Sequence, residues 1–177
     1  MRVRNSGVDG MKIKLVISFI IALVIIFSWN FYPRHYKETL HGVYYHLNNE
    51  EFSEKITIHL EGKRRNHLFG DKKFEGTVVF EGEVLPPVPD GVEELEVRYE
   101  RGIGIINSFF REDEQGAVFP EIYHFGSIHI NKNFTQFTIQ ASIPSSLPSD
   151  DIFMITAPAE TREEALQIHN NIMKIYR

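Results

Sequence analysis

The sequence predicts a mainly β protein: an antiparallel sheet of about eight strands, curled or barrel-like, with one C-terminal α-helix and an N-terminal transmembrane helix. Three observations carry that prediction. Apolar residues alternate with polar ones through most of the chain beyond Tyr36. Short turn sequences separate the alternating segments, and connections that short exclude parallel crossovers. One continuous apolar run near the start and one capped amphipathic segment at the end break the alternation.

The apolar run comes first. From Leu15 to Phe27 the only polar residue is Ser18, and no charge occurs between Lys14 and Arg34. As a helix, Leu15–Tyr32 would be roughly 27 Å long, close to the thickness of a hydrocarbon core. Its Leu, Ile, Val and Phe residues, at about −0.3 to −0.6 kcal/mol each, favour insertion by roughly 3–7 kcal/mol. Trp29, Phe31 and Tyr32 form an aromatic end of the kind found at a lipid–water boundary. The expected organisation is a cytoplasmic tail over residues 1–12, a transmembrane signal-anchor helix over 13–33, and an extracytoplasmic β-rich domain with a C-terminal helix over 36–177. The basic flank before the run places the N-terminus in the cytoplasm and the domain outside the cell membrane. A cleaved signal peptide is disfavoured, because Phe27–Tyr32 offers no small residues at cleavage spacing. Met11-Lys12-Ile13-Lys14 before the run also reads as a start, so Met11 is an expected alternative initiator.

Alternation defines the strands. Ile56, Ile58 and Leu60 face one way, with Thr57, His59 and Glu61 opposite; Leu95, Val97 and Tyr99 repeat the pattern, as do Phe137, Ile139 and Ala141. Further strands are expected at Leu40–Leu47, Lys63–Phe69, Thr77–Leu85, Ile103–Phe110, Ile122–Ile130 and Ile152–Ala157. Hairpin connections are expected at Glu61-Gly62-Lys63, Glu112–Gly116 and Asn131-Lys132-Asn133, and longer loops at Pro86–Gly91 and Ser142–Pro148. Ile103–Phe110 and Ile152–Ala157 are apolar on both faces and are expected to be covered on both. Thr161 with Glu164 forms a capping box, and Ala165, Ile168, Ile172 and Ile175, flanked by His169 and Tyr176, make the buried stripe of the last helix.

Composition excludes several chemistries. Cysteine is absent, which removes disulfides, thiolate metal sites and thiol catalysis. Residues 1–35 carry a charge of +4 and the remainder −9, and an acidic domain argues against nucleic acid. Eight histidines raise the question of metal, but His41/His46 and His124/His129 are each five apart, on opposite faces of a regular strand. Ser108 lies in a strand without a nucleophile-elbow motif. Glu50-Glu51, Glu93-Glu94, Glu112–Glu114 and Asp150-Asp151 read as solvated turns. No catalytic, cofactor-binding or metal-ligating residue is therefore assigned, and no cofactor is expected. Lys63-Arg64-Arg65 with Lys72 and Lys73 is the one basic cluster; its ordinary reading is a solvated hairpin face, and its sharper one is contact with anionic headgroups or envelope polymers, because the domain is tethered nearby. The many aromatic rings favour a filled interior over a ligand cavity.

Leu40–Tyr45, Phe74–Val78 and Thr156–Ala159 leading into Glu163-Glu164-Ala165 resemble a type of small single-pass, membrane-anchored bacterial protein with an extracytoplasmic β-domain. The resemblance implies no catalytic residues. The expected function is a membrane-anchored binding or interaction module at the cell surface, its partners being the membrane, through one span, and a protein or small apolar ligand. The alternative is a cell-envelope hydrolase with a carboxylate/His site; an assembly factor acting through helix pairing ranks below both, since the run has no small-xxx-small face.

Overall fold

Strands joined by short connections pair with their sequence neighbours, and this chain does so all the way round. The computed structural model describes residues 6–66, 72–89, 92, 94–100, 102–114, 117–142 and 152–176. It contains helix α1 (Ser6–Phe31), strands β1 (Arg34–His46), β2 (Ser53–Asn66), β3 (Lys72–Glu81), β4 (Leu95–Glu100), β5 (Ile103–Glu114), β6 (Ala117–Ile130), β7 (Phe137–Ala141) and β8 (Phe153–Ala157), and helix α2 (Arg162–Met173). The strands close into an up-and-down antiparallel barrel, with β8 returning to pair with β1.

The inward residues of the period-two pattern fill the barrel. Ile58, Val97, Ile106, Ile128, Ile139 and Ile155 are completely buried. Aromatic rings complete the packing, Phe80 stacking on Phe125 with centroids 5.3 Å apart. A void bordered by Tyr36, Leu60, Phe74, Ile128 and Phe134 measures only about 10 Å³, the room of a single water.

Helix α2 covers one outer wall. Ala165, Ile168 and Ile172 are buried against Val43, Tyr45 and Met154. The predicted cap is present: Glu164 N donates to Thr161 Oγ1 at 3.3 Å, and Glu160 N donates to the Glu164 carboxylate at 2.9 Å. Ile175, expected in the stripe, lies beyond the helix end and is 50% exposed.

Four expectations are corrected. Gly62 is not a hairpin turn; β2 runs through it, with Gly62 directly opposite Gly76 of β3. The two in-facing glycines let these backbones approach where a side chain would not fit, a packing role that a turn reading overlooks. His124 and His129 do not lie on opposite faces. Ile106 is opposite Gly126 while Asn107 is opposite His124, so Phe125 is an extra residue that inverts the alternation, and both histidines point out of the barrel. The outer face of β5 is not covered: Ile103, Ile105 and Phe109 are each about half exposed.

The fourth correction concerns the bounds of the apolar helix at the start. Among the described residues no helix is long and apolar enough to cross a membrane. The apolar run Leu15–Phe27 is only about 20 Å long as a helix, against about 30 Å of hydrocarbon. The chain also leaves the helix at Phe31 and is extended from Arg34, so the expected span 13–33 overruns it. The helix begins at Ser6, inside the segment expected as a tail; residues 1–5 lie outside the described residues, as do Asp90-Gly91, Glu93, Ile143–Pro148 and Asp150-Asp151 of the expected loops and turns.

Candidate functional site

The two ends of the barrel differ. One end carries α1, the start of β1, the β2–β3 and β4–β5 connections, the 131–136 turn and the end of α2. The other carries the β1–β2, β3–β4, β5–β6 and β7–β8 connections. The chemistry-bearing features lie at the first end and on the outer face of β5.

Helix α1 leads into β1 through Tyr32-Pro33. Its apolar residues surround the helix instead of forming a stripe, and Leu15, Phe19, Val24 and Ile26 are each more than half exposed. Water is a poor solvent for such a surface, which needs a cover of lipid or protein. Where the helix meets the barrel, Val24, Ile25, Ser28, Tyr32 and Arg34 line an open hollow of about 590 Å³.

The basic cluster read from the sequence lies at this same end, and the β1–β2 register adds Arg34, which is directly opposite Arg64. Arg64 stands 5.8 Å above the rings of both Tyr36 and Phe134, and Lys72 stands 5.2 Å above Phe134. Lys72 also donates to the Lys132 carbonyl. Burial and the nearby Arg64 charge hold the Lys72 ammonium below its ordinary pKa. The turn is built by Asn131, whose side-chain oxygen accepts from Thr135 N at 2.9 Å, with Phe134 at φ 61° turned over the barrel mouth.

Along the outer face of β5 and β6, Phe109 is opposite Ile122, and Ile103 and Ile105 are exposed farther along β5, beyond the polar Asn107–His124 pair. Four large apolar side chains, each about half exposed or more, thus lie on this outer wall away from the cover of α2.

The other residues singled out by the sequence are dispersed. His41 is exposed and His46 buried, the latter packing edge-on against Phe153 at 5.0 Å. Ser108 is buried. Among the described residues no three His, Asp or Glu side chains are placed to hold a metal ion. Glu50, Glu51 and Glu94 are exposed, while the side chains of Glu112–Glu114 lie outside the described residues. One hollow of about 270 Å³ does bring His41 and Glu160 together with Lys55 and Thr57. There Glu160 is 3.0 Å from Lys55 Nζ, and that hydrogen bond and charge hold its carboxyl below the usual carboxylate range. An apolar cleft of about 140 Å³ lies between β3 and the following loop, lined by Val78, Phe80, Leu85, Pro86 and Leu95, and is smaller than a typical ligand site.

Sequence reasoning did not anticipate a polar group beneath α2. Thr138 and Thr156 are fully buried, 3.0 Å apart through their hydroxyls, and share hydrogen bonds with His169 Nδ1 at 3.2 Å and Tyr45 OH at 3.3 Å. Beyond it, His129 packs against the Tyr176 ring, and Tyr176 OH donates to the Ile130 carbonyl at 2.8 Å. Burial lowers the pKa of His129; burial first, and then the His129 charge, lowers that of His169. Unfolding restores both to ordinary values, so below about pH 6.5 the unfolded chain binds protons that the folded chain resists. Stability is therefore expected to fall as pH drops from about 6.5 toward the lowered folded values, and to gain nothing from this pair above about 6.5. Urea midpoints at about pH 7.5 and about pH 5.5 measure this, and His129→Gln should reduce the difference between them.

No protein-family model matches this chain, and no curated protein or solved structure matches it significantly.

Proposed function

We propose that this protein is a membrane-anchored, non-catalytic interaction module. Helix α1 sits in the lipid of the cell membrane with its N-terminus on the cytoplasmic side. The filled barrel over residues 36–177 stands outside, and the face made by Ile103, Ile105, Phe109 and Ile122 is its protein-contact surface. The observation that carries this reading is the exposure of apolar side chains all round α1. Amphipathic interfacial helices keep one polar face, and this helix has none between Leu15 and Phe27. Its short apolar length is accommodated by local thinning of the bilayer and by Lys12 and Lys14 reaching toward the headgroups. The filled interior favours contact through the outer surface over ligand storage.

The hydrolase alternative has less support. Its best pair, His41 and Glu160, lies in an open hollow, and Lys55 keeps the carboxyl ionised when a general acid needs a raised pKa.

Cell fractionation tests the proposal. The full chain is expected in the membrane pellet and to stay there through high-salt and alkaline washes, because a lipid-buried helix does not depend on surface charge. Release into the supernatant by either wash would sink the anchor.

A further inference from the structure

The geometry points to a binding site for anionic phospholipid headgroups at the barrel end next to α1, formed by Arg34, Arg64 and Lys72 at the barrel mouth, with Lys63 and Arg65 on the outer wall beside them. The inference rests on the anchor proposed above and adds the class of lipid that the anchored barrel recognises.

Four observations support it. First, the neighbouring carboxylates are already engaged. Glu61 bonds Lys37 at 2.8 Å and lies 3.7 Å from His35, while Lys73 lies 2.8 Å from Glu75 and 3.9 Å from Glu100. Among the described residues, none of the five cations named above forms an ion pair. Second, the strand register places like charges directly across from each other at Arg34 and Arg64, whereas Arg65 and Lys73 already share the Glu75 charge. A like-charge pair works against the sheet, and an anion placed between its members reverses the sign of the interaction. Third, the Arg64 and Lys72 head groups are held over aromatic rings, so they are ordered before any anion arrives. Fourth, the hollow beside Arg34 has Val24 and Ile25 on its helix side. An acyl chain against those residues would bring its phosphate to the level of the cation. A membrane surface supplies phosphates at that height, and each basic residue there adds to the attraction.

A cysteine-free chain allows a clean test. A single Thr135→Cys variant of the full chain, carrying an environment-sensitive fluorophore beside the cluster, is mixed with vesicles of phosphatidylcholine alone or of phosphatidylcholine with phosphatidylglycerol. Flotation reports the anchor and emission reports the headgroup site. The expected result is flotation with both vesicles, and a blue shift only with phosphatidylglycerol that high salt reverses. Lys63→Gln with Arg65→Gln, both exposed positions, should abolish the shift while leaving flotation and thermal melting unchanged. Flotation with the same emission in both vesicles would overturn the headgroup site and leave the anchor standing. Failure to float with either would overturn the anchor. A shift reproduced by inorganic phosphate, or by a soluble polyphosphate without vesicles, would overturn a lipid as the ligand.

Discussion

Phe125→Ala is expected to destabilise the barrel by about 3–5 kcal/mol, seen as a lower urea midpoint with an unchanged slope. Phe125 is 1% exposed, lies on the bulge of β6 and stacks on Phe80. Removing its ring leaves a cavity that neighbours fixed by the closed sheet cannot fill. Phe109 provides the internal comparison. It lies on β5 with 54% of its surface exposed, and Phe109→Ser should change stability by no more than about 0.5 kcal/mol. The same residue type on opposite faces of one sheet thus separates core from contact surface. Equal losses at the two positions would show that the outer face of β5 is part of the core.

Gly76→Val is expected to cost about 3 kcal/mol or more by overpacking. A Cβ at Gly76 would meet the Glu61 carbonyl and come within 2.6 Å of the Gly62 Cα. Both are backbone groups held by the β2–β3 ladder, so neither can rotate away as a side chain would. Gly82→Ala is the control: its nearest neighbours are the Ile56 methyl at 3.0 Å and the Lys55 carbonyl at 3.3 Å, at an exposed strand end. Its effect should stay within about 1 kcal/mol. Comparing the midpoints of the two variants by urea denaturation tests whether close backbone approach is what closes this part of the barrel.

Much of the architecture was legible because it depends on local pattern. The alternation at Leu95–Glu100 and Phe137–Ala141, the turn after Ile130 and the Thr161–Glu164 cap each follow from a few adjacent residues. What was not legible depends on register. Gly62 reads as a turn until Gly76 is placed opposite it. His124 and His129 change faces because one extra residue is accommodated at Phe125, and a period-two count cannot see a bulge. The outer face of β5 reads as buried because its residues are apolar, although the cover supplied by α2 lies over β1, β6, β7 and β8. The basic cluster was visible on β2 and β3, but Arg34 joins it only through the β1–β2 ladder. The buried Thr138–Thr156–His169 group gave no signal, since threonine in a strand is ordinary and its histidine comes from a distant helix.

The account turns on whether α1 resides in lipid with the barrel outside, and thiol labelling of intact cells measures this most directly. With no native cysteine in the chain, Ile20→Cys on α1 and Glu83→Cys after β3 each introduce a unique thiol. A membrane-impermeant maleimide is expected to label Glu83→Cys from outside and to leave Ile20→Cys unmodified, because a thiol in hydrocarbon neither ionises nor meets the reagent. Labelling of Ile20→Cys at the rate of Glu83→Cys, or protection of both positions until the cells are broken, would contradict it.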